Sequence, residues 1–215
     1  MLGLINKLRR YRWAVLGRKK IKALVQHKHK QGEAIKIILG SSDHNDFNGE
    51  WINTDIPQFD ITNAKHWEYI FGDIKIDNLL AEHVMEHLTK EQNQNVVAFM
   101  IEYLKPGANF RFAVPDGNHP DPKYIDYVKP NGNGPGCDDH KMLWTIDQVK
   151  EIFPIDAFDI HPLEYYDSRH EFFSVPFTSN AGPINRTFQN TDKSSWEFKN
   201  YTSLIFDFTR KPIKH

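Results

Sequence analysis

The chain has 215 residues, of which 40% are hydrophobic and 13% aromatic, so it is long and apolar enough for one α/β domain and too apolar for a disordered chain. Its single cysteine excludes an intramolecular disulfide, and no apolar run reaches the roughly 20 residues that cross a bilayer. The net charge of −1 hides an asymmetry, because residues 1–30 contain ten Lys or Arg and no acid, whereas the other residues carry 17 basic and 28 acidic groups. We expect a cytoplasmic protein with a basic arm.

The basic arm, residues 1–30, precedes a domain of residues 31–215. Its spacing predicts a helix that would lie on an anionic membrane surface, touch nucleic acid or pack lightly against the domain. The acidic body disfavours nucleic acid, since phosphate contacts need a basic face. The apolar positions at near-helical spacing are Leu2, Ile5, Leu8, Ile21, Leu24 and Val25.

The first half of the domain reads as short strands separated by turns. Ile35–Leu39 is a nearly all-apolar strand, and Gly40 begins the turn after it. Trp51–Thr54 predicts a second strand that ends at Asp55, and Phe59–Ile61 predicts a short third strand.

A strand–helix–strand unit follows. Asn78–Ala81 is a short apolar run, Val96 to Leu104 carries apolar residues at helical spacing, and Phe110–Val114 is an apolar and aromatic strand. Such a unit predicts a parallel sheet, in which ligands bind beyond the carboxyl ends of the strands. We therefore expect Glu82, His83 and Asp116 at one rim.

The remainder of the chain is less regular. Residues 117–141 predict a loop that covers the site, and Trp144–Phe153 predicts a short helix capped by Thr145. Ala157–Tyr166 and Tyr201–Thr209 predict an antiparallel closing pair of strands. Residues 167–200 have no assigned structure.

The segments AEHVMEHL and EYLKPGANFRFAVPDG together resemble the fourth-to-fifth-strand segment of class I S-adenosylmethionine-dependent methyltransferases. They are most similar to the small predicted methyltransferases of polysaccharide and surface-glycan gene clusters. KIILGSSDHNDFNGEWINTDI resembles the first two strands of that family, and GPGCDDHKMLWTIDQVKEIF its segment after the fifth strand, so the likeness covers residues 34–153. The resemblance implies a doubly wound, mostly parallel seven-stranded sheet with an antiparallel closing pair.

The resemblance also implies S-adenosylmethionine as cofactor. The turn after the first strand would bring backbone close to the cofactor, and an acid at the end of the second strand would accept hydrogen bonds from ribose hydroxyls. Only one glycine stands in that turn. The residues implied are Gly40, Ser41, Ser42, Asp55, Asp60, Glu82 and His83.

The cluster from His83 to His87 has three interpretations. It matches H-x-x-E-H, the pattern of a metal-dependent hydrolase, if both histidines lie on one side of a helix. It also resembles the E-x-x-E-H segment of some metal-binding O-methyltransferases, with His83 in place of the first Glu and His140 as the later ligand. We favour the third, in which Glu86 and His87 only cap and pack the turn and no metal binds.

Two further residues are candidates for acid–base chemistry. His140 stands beside an acid and has a reference pKa near neutrality, as a general base for a hydroxyl acceptor requires. Asp116, beyond the fifth strand, would contact acceptor or cofactor, and His83 is an alternative base. Weaker candidates at this rim are His119, Tyr124, Tyr127 and Cys137.

The resemblance and the histidines together predict O-methylation of a small or glycan-type hydroxyl acceptor, with peripheral membrane contact through residues 1–30. Two alternatives stay open. One is a catalytically silent binding module with the same fold, motivated by the single glycine at Gly40. The other is a metal-dependent hydrolase that uses His83, Glu86 and His87.

Overall fold

A computed structural model describes residues 2–41, 49–190 and 202–212, which form seven strands and five α-helices. The strands are β1 (Lys36–Leu39), β2 (Trp51–Asn53), β3 (Ile76–Glu82), β4 (Leu104–Val114), β5 (Phe158–Tyr166), β6 (Phe172–Ser174) and β7 (Leu204–Arg210). The helices are α1 (Leu2–Lys30), α2 (Ala64–Phe71), α3 (Lys90–Tyr103), α4 (Pro122–Val128) and α5 (Ile146–Ile152).

The strands form one mixed sheet in the order β2-β1-β3-β4-β7-β5-β6. Strands β1 to β4 pair in parallel, and β7 lies antiparallel between β4 and β5. The predicted closing pair is confirmed as β5 and β7, and β6 adds an antiparallel edge strand. This is a doubly wound α/β sheet, and the carboxyl ends of β1, β3 and β4 meet at one edge.

The two faces of the sheet are covered differently. One face packs against α1, α2, α3 and α5 in the main hydrophobic core, which is rich in aromatic rings. For example, Trp67 of α2 and Phe112 of β4 are both fully buried there. The other face is covered by a 3-10 turn, Ser179–Ala181, and by irregular chain around it that buries Ile184.

The buried side chain of Arg111, paired with the partly buried Asp207, fastens this irregular cover to the sheet. The Arg111 guanidinium donates to both carboxylate oxygens of Asp207 at 2.8 Å, and also to the carbonyls of Thr178 and Gly182. Since a buried charge is costly unless it is paired, this arrangement fixes both the strand pair β4–β7 and the covering segment.

Two helices begin with a threonine cap, of which the cap at Thr145 was predicted. Thr89 caps α3 and Thr145 caps α5, each in a reciprocal capping box with the glutamine three residues on. The predicted helix at Trp144–Phe153 is thereby confirmed in its shorter form, α5.

Other expectations are corrected. Phe59–Ile61 is not a strand, because the chain turns through it on the way to α2. The loop of residues 117–141 contains α4, and part of residues 167–200 forms β6 and two 3-10 turns. Among the described residues, no helix is both long and apolar enough to cross a membrane.

Candidate functional site

Two cavities open at the edge of the sheet where the parallel strands end. Gly40 follows β1, His83 follows β3 and Pro115 follows β4, and each of them lines at least one cavity. The location agrees with the rule that ligands of open α/β sheets bind beyond the carboxyl ends of the strands.

The first cavity, here called the Gly40 cleft, has a volume of about 420 Å³. It combines two carboxylates with apolar side chains from the loop after β2. Its lining consists of Gly40, Asp55, Ile56, Phe59, Asp60, Ile61, Thr62, His83, Val84, His87, Leu88 and Asp139.

Gly40 has both a conformational and a steric reason to be glycine. Its φ is +57°, in the left-handed region, and a Cβ at this position would lie 2.6 Å from Cγ2 of Val84. The next residue, Ser41, is buried and donates its backbone N–H to the Thr54 carbonyl at 2.9 Å. Ser41 does not line the cleft, and Ser42 lies outside the described residues.

Two of the three aspartates that line the cleft, those in the loop after β2, are oriented by short-range hydrogen bonds. Asp55 Oδ1 accepts the backbone N–H of Ile56 at 2.7 Å. Asp60 Oδ1 accepts the backbone N–H of Thr62 at 3.0 Å and its hydroxyl at 2.7 Å. The loop therefore presents two carboxylates of fixed orientation to the cleft.

Glu82 lies at the predicted rim but lines neither cavity. Its buried carboxylate accepts the backbone N–H groups of Asn185 and Arg186 at 2.8–3.1 Å. These contacts fasten the segment around Arg186 over the end of β3. A role for Glu82 in cofactor binding stays a prediction.

The second cavity, here called the His140 cavity, has a volume of about 310 Å³. His83 and His87 line it as well as the Gly40 cleft, so these two histidines form a shared wall. The other lining residues are Glu86, Pro115, Tyr124, Tyr127, Val128, Pro135, Gly136, Cys137, His140, Arg186 and Thr202.

His83 is held by protein contacts at both ring nitrogens. Nδ1 lies 3.0 Å from Glu86 Oε1, and Nε2 lies 3.3 Å from the Ser203 hydroxyl. That hydroxyl donates its proton to the Arg186 carbonyl at 2.7 Å, so toward His83 it acts as acceptor. The φ of His83 is +55°, an uncommon conformation for a residue with a Cβ, and it points to a constrained site.

His140 has one ring nitrogen engaged in a defined way. Nδ1 lies 2.7 Å from the Val128 carbonyl, and because a carbonyl only accepts, Nδ1 carries the proton. In the neutral ring, Nε2 therefore holds the lone pair. The backbone N–H groups of Lys141 and Met142 donate to the Glu86 carbonyl at 2.7 and 3.1 Å, and these bonds bring His140 beside Glu86.

Glu86, His87 and His140 form a group with the spacing of metal ligands. One ligand atom from each lies within 4.8 Å of the others, and the rings of His87 and His140 are 4.7 Å apart. Oε2 of the buried Glu86 has no hydrogen-bond partner. The donor set suits a borderline divalent metal better than Mg²⁺.

The structure does not contain the helical pairing of His83 with His87 that the hydrolase interpretation requires. His83 follows a strand, and Met85–His87 is a 3-10 turn that the Asn93 amide holds by donating to the Met85 carbonyl at 3.0 Å. His83 contacts Glu86 but is not part of the metal-type group. The hydrolase hypothesis therefore loses the geometry on which it depended.

Asp116 supports the His140 cavity from behind and lines neither cavity. Its carboxylate accepts the backbone N–H groups of Asn118 and Tyr166, and burial raises its pKa to about 6. Its own N–H donates to the Tyr124 hydroxyl, and His119 stacks on the Tyr124 ring at 4.1 Å. Tyr124, unlike Asp116 and His119, faces the cavity, as do the candidates Tyr127 and Cys137.

Sequence reasoning missed Arg186 and Thr202, which also line the His140 cavity. Arg186 lies in residues 167–200, where the sequence has no periodicity to place it, and Thr202 lies at the start of the predicted strand Tyr201–Thr209, whose direction toward the site the sequence does not show. The segment that carries Arg186 is held by two buried carboxylates, Glu82 of β3 and Glu164 of β5. The one sequence feature that could have pointed to this segment was the presence of carboxylates in otherwise apolar strands.

Comparisons with known proteins address the fold. No protein-family model matches the chain, and neither does any curated protein. A S-adenosylmethionine-dependent methyltransferase from Archaeoglobus fulgidus is 13% identical, over 91% of this chain and 94% of its own, with a TM-score of 0.51. A chain from the complex of the Haloferax volcanii Trm112 methyltransferase activator with a candidate methyltransferase is 12% identical over 94% and 96%, with a TM-score of 0.50. With the strand order, these likenesses show that the chain has a class I methyltransferase-like α/β fold.

Proposed function

We propose that this protein is a methyltransferase that uses S-adenosylmethionine to methylate a hydroxyl of a small acceptor. The observation that carries the proposal is the shared wall between the Gly40 cleft and the His140 cavity. Group transfer requires two ligands held with their reacting atoms in near contact, and two adjoining cavities at the ligand-binding edge meet that requirement.

The Gly40 cleft has the hydrogen-bond acceptors that S-adenosylmethionine needs. Asp55 and Asp60 would accept hydrogen bonds from the ribose hydroxyls and the adenine amino group. Ile56 and Phe59 offer apolar surface to the adenine ring, and Gly40 lets the backbone approach closely. When bound, the cofactor supplies an electrophilic methyl group.

We propose His140 as the general base. Its Nδ1–H is committed to the Val128 carbonyl, so Nε2 is the nitrogen that takes the proton of the acceptor hydroxyl. His83 has both nitrogens in contact with Glu86 and Ser203, which suits a residue that shapes the wall better than one that accepts a proton.

The His140 cavity supports a small acceptor. A volume of about 310 Å³ is at the lower end of the range for ligand sites, roughly 300–1,000 Å³. Tyr124 and Tyr127 provide aromatic surface, and Arg186 provides a cation at the wall. One sugar-sized unit of a glycan-type acceptor would suit this cavity.

Calorimetric titration of S-adenosylhomocysteine into wild-type protein and Asp55→Ala tests the cofactor site. We expect binding by the wild type and a loss of at least about tenfold in affinity in the variant, because two ribose hydrogen bonds disappear. Asp156→Ala, an exposed acid outside both cavities, is the matched control. If folded wild-type protein binds neither S-adenosylmethionine nor S-adenosylhomocysteine, the proposal fails and the silent binding module is favoured.

The group of Glu86, His87 and His140 favours a second candidate, a metal-assisted version of the same transfer. A divalent ion there would lower the pKa of an acceptor hydroxyl, and His140 would be a ligand in place of a base. Titration of Zn²⁺ and Mn²⁺ into wild-type protein and His87→Asn decides between the two. Stoichiometric binding that the variant loses supports the metal; no binding, with activity unchanged in chelator, ends it.

A further inference from the structure

Helix α1 contacts the domain through one narrow face. Ala14, Ile21 and Val25 are buried, and they follow one another at intervals of seven and four residues, which places them on one side of the helix. Two of them, Ile21 and Val25, belong to the main hydrophobic core. Ile21 and Val25 are therefore not available to a membrane, although the sequence analysis included both in the apolar face of the basic arm.

A second row of residues runs along the side of α1 that points away from the domain. Trp13 is 56% exposed, Leu16 62% and Leu24 40%, although all three are large and apolar. Helical spacing interleaves them with exposed basic residues. This row, here called the outer stripe, consists of Arg9, Arg12, Trp13, Leu16, Lys20 and Leu24.

We propose that the outer stripe binds the surface of an anionic membrane, with α1 lying between the bilayer and the domain. Charge is the first argument, because the first 30 residues contain ten Lys or Arg and no acid. Basic groups next to an anionic leaflet are attracted to it, and exposed tryptophan and leucine insert at the headgroup level.

The distribution of charge disfavours other occupants of the stripe. A second copy of the chain would bring a row of like charges against this one, which repels at close range. Nucleic acid would meet a body whose remaining 185 residues carry 28 acids against 17 Lys or Arg. A bilayer avoids both costs, because it lies on the outer side of α1 only.

Helix α1, which carries the stripe, contacts the loop that lines the Gly40 cleft. Arg18 of α1 donates from Nε to the Gln58 carbonyl at 2.8 Å and from Nη2 to the Pro57 carbonyl at 3.3 Å. These carbonyls lie in the loop whose neighbours Ile56 and Phe59 line the cleft. Helix α1 thus braces the loop that lines the Gly40 cleft, so a membrane-bound α1 would hold that cleft close to the bilayer surface.

Vesicle co-sedimentation of the full chain tests the proposal. The probes are phosphatidylcholine vesicles with and without phosphatidylglycerol. We expect binding only to the anionic vesicles, and a loss of at least about tenfold in affinity in Arg9→Glu/Arg12→Glu and in Trp13→Ser/Leu16→Ser. Lys150→Glu/Ile155→Ser, which changes an exposed charge and an exposed apolar residue elsewhere, should bind like the wild type.

Each other outcome overturns the proposal. Equal binding to both vesicle types would show that charge does not drive binding. Unchanged binding by both stripe variants would show that the outer stripe is not the binding surface. Binding to duplex DNA or RNA with none to vesicles would identify a nucleic-acid arm. Thermal melting followed by circular dichroism confirms that each variant is folded before its affinity is compared.

Discussion

The two cavities of the site are built in opposite ways. The Gly40 cleft is lined mainly by one turn, one loop and one short segment after β3, whose aspartates are oriented by neighbours in sequence. The His140 cavity is assembled from chain as distant as Glu86 and Thr202, and long-range hydrogen bonds hold it. The difference teaches that a change near one cavity need not disturb the other.

Among the changes that should affect one cavity and not the other, His140→Gln is expected to have the largest effect. Loss of a general base lowers kcat by about 10²- to 10⁴-fold, and the Gly40 cleft should keep its affinity for S-adenosylhomocysteine. Single-turnover kinetics and calorimetry on the same preparation measure the two quantities. Cys137→Ser, a small change in the same cavity, controls for altered shape. An unchanged kcat would remove His140 from the chemistry.

A pH dependence of stability is expected from Asp116, behind the His140 cavity. Because burial raises its pKa from 3.8 to about 6, the folded protein holds this proton more tightly than the unfolded chain does. The group therefore lowers the free energy of unfolding as pH rises from about 4 to about 6, by up to about 3 kcal/mol. Denaturant unfolding of wild type and Asp116→Asn across this range measures the difference, and parallel pH curves would contradict it.

Glu164→Gln should loosen the His140 cavity without affecting the Gly40 cleft. The buried Glu164 carboxylate accepts the Thr187 hydroxyl at 2.8 Å and the Phe188 N–H at 3.0–3.1 Å, which fastens the segment that carries Arg186. An amide cannot accept at both positions, so we expect a loss of about 1–3 kcal/mol in stability and a raised acceptor KM. Glu171→Gln, an exposed acid beyond β5, is the control. Equal changes in cofactor and acceptor affinity would show that the cavities are coupled.

The smallest effect is expected for Gly40→Ala, in the Gly40 cleft. A Cβ there would meet Val84 at 2.6 Å and strain a left-handed residue, at a cost of about 1–2 kcal/mol. Cofactor affinity should fall, whereas acceptor affinity in the His140 cavity should not. Adding Val84→Ala should recover part of the loss, since it removes the clash. No recovery would mean that backbone strain alone is responsible.

The fold was accessible from the sequence where local signals agree with one another. Thr145 and Gln148 predict a capping box that the structure contains, and the alternation in residues 157–166 predicts the strand that became β5. Phe59–Ile61 failed for the opposite reason. Its apolar residues lie in a turn and pack into the hydrophobic core, where Phe59 contacts Trp67 with ring centroids 5.0 Å apart. The segment is therefore apolar because it is buried, and not because it pairs with another strand.

The two cavities of the candidate site differ in how well their residues could be predicted from the sequence. The family resemblance implied Gly40, Asp55 and Asp60 as cofactor residues, and all three line one cleft. Arg186 and Thr202 were not predicted to line the site. Glu82 and Asp116 lie at the predicted rim, but neither of them lines a cavity. Position along a strand fixes the rim, but side-chain direction at the rim depends on what covers it.

The sequence by itself determined six of the seven strands among the described residues, the start of α5 and the basic charge of the first 30 residues, because propensity, periodicity and charge are local properties. Only the tertiary structure decided which nitrogen of His140 holds the lone pair, since the Val128 carbonyl is 12 residues away. It also decided that Ile21 and Val25 face the core, leaving Trp13 and Leu16 exposed. Both outcomes depend on contacts between distant residues, which helical and strand periods cannot encode.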